Sequence, residues 1–134
     1  MSESSESTRA RGIVVAHGLM AQGLVDAVRR IAGDAADALE PLSNEGKGPD
    51  ELRAELEAMA GGGPVVVFAD LVSGSCALAA FSSCRRMHDR AVVCGVNLPV
   101  LLDFVFHTEL PLEELVPRLV SKGREGIRPM PVSS

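Results

Sequence analysis

Three short runs of aliphatic and β-branched residues, GIVVA at 12–16, VVVFAD at 65–70 and RAVVCGV at 90–96, each lead into a segment with helical spacing. Runs this short and this continuously apolar fit strands covered on both faces. Strands that alternate with helices fold as parallel βαβ units with right-handed crossovers. The expected fold is therefore α/β: a three-layer α/β/α sandwich around a mostly parallel, doubly wound sheet.

The intervening segments fill in this frame. Met20, Leu24, Ala27, Val28 and Ile31 share one helical face, which Gly33-Asp34 closes. Residues 38–42 suggest a second, weaker strand, and SNEGKGPD after it is turn chemistry. Pro49 opens a helix with the face Leu52, Leu56 and Met59, ended by GGGP. An Ala-rich helix is expected over about residues 75–87. Asn97 caps the next helix, with Pro99 in its first turn and Leu98, Leu101, Leu102, Val105 and Phe106 as its apolar face. Residues 111–122 form a last amphipathic segment, which Pro117 should kink or shorten. The tail GIRPMPV suits only an edge strand, because its prolines cannot sit in a sheet centre.

Composition narrows the function classes. The chain has 134 residues, enough for one domain with its own core, expected over 11–131. The first ten, MSESSESTRA, are Ser/Glu-rich with nothing to bury and read as a disordered tail without the apolar centre of a signal peptide. A net charge of −5 and the absence of Trp and Tyr argue against a nucleic-acid surface. No apolar run is long enough to span a membrane, and a cytoplasmic location is expected. Cys76 and Cys84 would lie about 12 Å apart along one helix, too far for a disulfide. No Cys/His spacing suggests zinc, so no metal and no cofactor are expected.

The chemistry should lie at the carboxyl ends of the strands, where open α/β sheets bind their ligands. His17 ends the first run and Asp70 ends the second long one. If the two strands are neighbours, Asp70 can accept Nδ1–H of His17, leaving Nε2 with its lone pair outward. Such a ring is nucleophilic, and the carboxylate stabilises the cation formed when it attacks. Gly74 and Ser75 lead into a helix, whose free amides, dipole and hydroxyl make an anion pocket. Together these features point to phosphorylation on histidine.

The same residues carry a family likeness. GIVVAHGLMAQGLVDAV, DLVSGS and GVNLPVLLD, in this order, resemble the IIA domain of the mannose-type sugar phosphotransferase system over roughly residues 11–127. The resemblance implies a cytosolic phosphocarrier that takes a phosphoryl group from the histidine phosphocarrier protein HPr and passes it to a IIB domain. It implies phosphorylation of His17 on Nε2, orientation of the ring by Asp70 and contact of Ser75 with the phosphoryl group. Asn97 and Pro99 would stand at the edge of the site, as would Gly18 and Leu71. It further implies a homodimer in which a C-terminal strand, here around residues 126–130, crosses to the partner subunit. The sequence departs from the family pattern at Val72, Ser73, Cys76 and Leu78, where an aromatic residue, Gly, Pro and Asn are usual. These departures put partner preference and rate in question, and leave a non-catalytic regulatory or binding module built around His17 as the alternative.

Other motifs lead nowhere. Cys84 to Arg90 has the C-x5-R spacing of cysteine phosphatases, but a helix precedes it and a strand follows, the reverse of the order that activates the thiol. Gly61–Gly63 precedes a strand and is a linker, and neither Ser73 nor Ser75 lies in a nucleophile elbow. The basic cluster Arg85, Arg86, His88 and Arg90 suits the negative end of a helix.

Overall fold

A computed structural model describes residues 9–85 and 87–131. Its four strands are β1 (Arg11–Ala16), β2 (Leu39–Ser43), β3 (Val65–Ala69) and β4 (Arg90–Cys94). They form one parallel sheet in the order β2-β1-β3-β4. The helices are α1 (Met20–Ala32), α2 (Pro49–Ala60), α3 (Ser75–Cys84), α4 (Leu98–Val105) and α5 (Leu112–Glu125), with a 3₁₀ segment over Gly33–Ala38.

The two central strands carry the three layers. In β1, Val14 and Ala16 face one side, joined by Val66 and Phe68 of β3, and pack with α1, α4 and α5. Ile13, Val15, Val65, Val67 and Ala69 face the other side and pack with α2 and α3. Both strands are buried throughout or nearly so, which is why they read as unbroken apolar runs. Phe68 meets Phe104 of α4 edge to face, with ring centroids 5.3 Å apart. Gly12 leaves room for Leu39 and Phe104: a Cβ there would stand 2.7 Å from the one and 2.8 Å from the other.

Several boundaries differ from the expectation. The buried line of α1 is Ala21, Val25 and Val28, and Met20 and Ile31 lie exposed. Small side chains on that line seat the helix close to the sheet. On α4, Phe104 takes the core position and Phe106 points to solvent. Helix α3 stops at Cys84, where Arg85 turns extended and the Arg90 guanidinium donates to the Ser83 carbonyl at 2.8 Å. Arg90 also donates to the Gly61 carbonyl, so it ties the end of α3 to the loop after α2, while Arg86 lies outside the described residues.

Pro117 does not shorten α5, which runs unbroken to Glu125. Pro117 and Glu113 are exposed, so water can serve the carbonyl that proline leaves unpaired, while Leu115 and Leu119 anchor the buried face. Within the single chain, residues 127–131 form no strand, and Ile127 and Met130 are exposed. At the other end, residues 1–8 of the expected tail lie outside the described residues. Ala10 does not belong to a tail: it is 2% exposed and its N–H donates to the Thr108 carbonyl.

Candidate functional site: a histidine–aspartate pair at a helix N-terminus

The chain leaves β1 for α1 and β2 on one side, then crosses over β1 to lay down β3. The carboxyl ends of β1 and β3 thus flank the point where the strand order reverses, the usual crevice of an open α/β sheet. Val15 of β1 pairs in register with Ala69 of β3. The residues that follow, His17 and Asp70, therefore leave the sheet side by side.

His17 Nδ1 lies 2.7 Å from Asp70 Oδ2, and the backbone N–H of His17 donates to the same oxygen at 2.9 Å. The two partners differ in exposure: the histidine side chain is 46% exposed and the aspartate 7%. The pair thus presents one edge of a ring to solvent and hides the charge that orients it. Burial pushes the Asp70 carboxyl up. The hydrogen bonds from the His17 ring and backbone, with the attraction of a charged ring, outweigh this and hold it below the ordinary carboxylate range. With Nδ1 engaged, the nitrogen left for chemistry is Nε2.

Helix α3 begins against this ring. Gly74 stands at its N-cap with φ +98° and ψ −177°, a conformation in practice reserved for glycine. A Cβ on Gly74 would lie 3.8 Å from His17 Cε1, so the turn grazes the imidazole. The first bond of the helix runs from Leu78 N–H to the Gly74 carbonyl. The amides of Ser75, Cys76 and Ala77 precede it, at the positive end of the helix dipole. Free amides at a helix N-terminus can receive an anion.

The other expected residues fall into two groups. Gly18 belongs to the site's frame: its N–H donates to Asn44 Oδ1, and its carbonyl accepts from Ser43 Oγ at 2.8 Å. Leu71 is exposed just beyond Asp70. Asn97 and Pro99 are committed elsewhere. Asn97 Oδ1 accepts from Val100 N–H at 3.0 Å and its Nδ2 donates to the Gly123 carbonyl at 2.9 Å, capping α4 and fastening it to α5. Pro99 packs where a Cβ on Gly126 would otherwise stand.

Three residues near the site escaped sequence reasoning as members of it. Ser43 and Asn44 hold the turn after His17, and their signal was their place at the carboxyl end of β2, beside β1. Cys76 is fully buried, with Sγ 3.7 Å from His17 Nδ1. Burial, and then the negative charge of Asp70, push its thiol up and keep it protonated. His17, Asp70 and Cys76 offer ligand atoms within 4.8 Å of one another, a metal-capable set that no sequence spacing announces. Alongside, Val72, Ser75, Leu78 and Phe81 line a largely apolar groove of about 630 Å³.

Comparison with known proteins bears on the family and the fold. The family model for the fructose IIA component of the phosphotransferase system matches residues 12–119. A mannose/sorbose-specific IIA subunit from Enterococcus faecalis superimposes with a TM-score of 0.83 at 25% identity, over 94% of this chain and 98% of that one. The phosphotransferase component EIIA from Streptococcus agalactiae gives 0.83 at 22% identity, over 90% and 96%. A sigma-54 interaction domain protein from Enterococcus faecalis shares the fold at 0.68 and 12% identity, over 92% and 99%. A search of curated proteins gives no match. Among the described residues no helix is long and apolar enough to cross a membrane. With its family model matched from β1 into α5 and its fold shared with IIA subunits, the chain belongs to the mannose/fructose-type IIA family of the sugar phosphotransferase system.

Proposed function

We propose that the protein carries a phosphoryl group on His17 Nε2, taken from phospho-HPr and handed to a IIB domain or to a regulatory relay in the cytoplasm. Family and fold support a phosphocarrier role in sugar phosphotransfer. The observation that carries the finer reading is the 2.7 Å bond from His17 Nδ1 to a buried Asp70, with the N-terminus of α3 against the same ring.

In the transfer, the Nε2 lone pair attacks phosphorus in line with the bond to the donor histidine. That bond breaks and its electron pair returns to the donor nitrogen. The proton on Nδ1 stays in place, and Asp70 offsets the positive charge that grows on the ring. The amides of Ser75 and Cys76 and the Ser75 hydroxyl receive the phosphoryl oxygens, and Gly74 permits their approach. Positioning and charge stabilisation supply most of the rate. The apolar groove bounded by Val72, Leu78 and Phe81 gives the donor a surface to dock on beside the ring.

A homodimer is part of the same reading. Strand β4 ends the sheet, and the exposed Ile127 and Met130 of one subunit can pair along the open edge of the other.

The test is incubation with phosphoenolpyruvate, enzyme I and HPr, followed by intact mass. The expected result is one acid-labile phosphoryl group, lost in His17→Ala. No gain with HPr from several sources would leave the second reading, a regulatory module that docks a partner through the His17 pocket. The departures at Val72, Ser73, Cys76 and Leu78 favour that reading.

A further inference from the structure

We propose that His17, Asp70 and Cys76 bind a soft divalent cation of the zinc class, and that the cation and the phosphoryl group exclude each other on His17. Nδ1 lies 2.7 Å from Asp70 Oδ2 and 3.7 Å from Cys76 Sγ. Zinc bonds of about 2.0–2.3 Å to nitrogen, oxygen and sulfur place tetrahedral ligands roughly 3.3–3.6 Å apart. The sulfur already stands near that separation. The carboxylate has to withdraw by about half an ångström, a small rotation of its side chain.

Asp70 supplies an independent observation. Its Oδ1 is buried and has no hydrogen-bond partner among the described residues, and the side chain as a whole is only 7% exposed. An unpaired buried carboxylate oxygen costs free energy. A carboxylate that clasps an ion with both oxygens gives Oδ1 the partner it lacks. The donor set selects the metal: a thiolate beside an imidazole favours zinc or cadmium and disfavours magnesium and calcium.

Binding rearranges two protons. The Cys76 thiol releases its proton to solvent. The proton on Nδ1 moves to Nε2, because neutral imidazole keeps one N–H and Nδ1 now holds the ion. Nε2 then has no lone pair to attack phosphorus. Conversely, a ring that bears phosphate on Nε2 and donates Nδ1–H to Asp70 offers the ion nothing at Nδ1. The exclusion rests on the carrier role proposed above, whereas the cation site does not.

The experiment uses the full chain with Cys84→Ser and Cys94→Ser, which leaves Cys76 as its single thiol. Cadmium chloride is titrated in while thiolate-to-cadmium charge-transfer absorption is followed. The expected signal saturates at one ion per chain, is displaced by zinc, and is absent in Cys76→Ser. His17→Gln and Asp70→Asn weaken it by at least the roughly 10- to 100-fold that loss of an outer-shell partner alone costs, and they decide the matter if Cys76→Ser fails to fold. ¹⁵N NMR of His17 should place the metal on Nδ1 and the proton on Nε2. A signal that does not saturate at one ion, or one indifferent to both His17→Gln and Asp70→Asn, overturns the site. Phosphorylation from pre-phosphorylated HPr is then measured with and without saturating zinc. Loss of phosphorylation with zinc supports the exclusion, and an unchanged rate overturns it. No phosphorylation under either condition overturns the carrier role and leaves the metal site standing.

Discussion

Asp70→Asn removes one charge and keeps the shape of the side chain, and the outcome turns on which way the new amide faces. With its NH₂ toward the ring, the amide would force Nδ1 to accept, move the ring proton to Nε2 and abolish the nucleophile. The analogous tautomer error in a serine-protease triad lowers turnover about 10⁴-fold. Here the backbone N–H of His17 donates to the same oxygen that binds the ring, at 2.9 Å. An inward NH₂ would leave that donor facing another donor, a cost of about 1–3 kcal/mol for an unsatisfied buried group. The amide oxygen inward keeps both His17 bonds, the ring's and the backbone's, although it leaves the NH₂ where Oδ1 now stands without a partner; the Nδ1–H tautomer is the expected one. What remains is the loss of charge. A hydrogen bond to a charged group contributes about 1.5–3 kcal/mol and a neutral one about 0.5–1.5, so the ring bond weakens by about 1–1.5 kcal/mol. At about 1.4 kcal/mol per decade, phosphorylation from phospho-HPr should slow about tenfold. Quenched-flow mass measurements give the rate, and ¹⁵N NMR of the His17 ring gives the tautomer. A loss beyond about a thousandfold with the proton on Nε2 would refute the backbone argument. An unchanged rate would refute the role of the Asp70 charge.

Three further outcomes are expected. Gly74→Ala should cost about 1–3 kcal/mol in urea denaturation, because φ +98° suits glycine alone while the space at Cβ is ordinary contact; a loss under about 0.5 kcal/mol would contradict this. Asn97→Ala should cost about 1–3 kcal/mol through the lost cap and the lost bond to Gly123, and Asn97→Asp, which keeps only the cap acceptor, should cost less. Asp70 has a folded-state pKa below its unfolded one, so its stabilisation is complete above the unfolded value and fades as pH falls through the folded one. Urea melts at a series of pH values should find the gap between wild type and Asp70→Asn constant near neutrality and closing below about pH 4; a gap that widens on acidification would refute the direction of the shift.

The parts of the fold that were legible are those whose signal is local. β1 and β3 announce themselves because both faces are buried, so every position is apolar. His17 and Asp70 followed from them, since a residue's place at a strand end is itself a coordinate in an α/β fold. The register of the helices was harder to read. Phe104 and Phe106 are equally apolar, and only the position of Phe68 beneath α4 decides which one turns inward. Pro117 misled because propensity is a weak force beside the anchoring of Leu115 and Leu119. Cys76 was the largest omission. Its approach to His17 spans 59 residues and depends on how sharply the turn at Gly74 brings α3 to the ring, which no periodicity encodes.

The crossing of the chain over β1 has a kinetic meaning. β1 is made before β2 and β3 and can pair locally with β2, but its other edge waits for β3, about fifty residues later. Asp70 arrives with that strand, so a ring held by its carboxylate exists only once the most distant pairing of the central sheet has closed. Slow, non-local closure of this kind sets the folding rate of parallel sheets. A nascent or partly opened chain has His17 but lacks its orienting partner. If His17 carries the phosphoryl group as proposed, that capacity depends on the pairing of the two middle strands being complete.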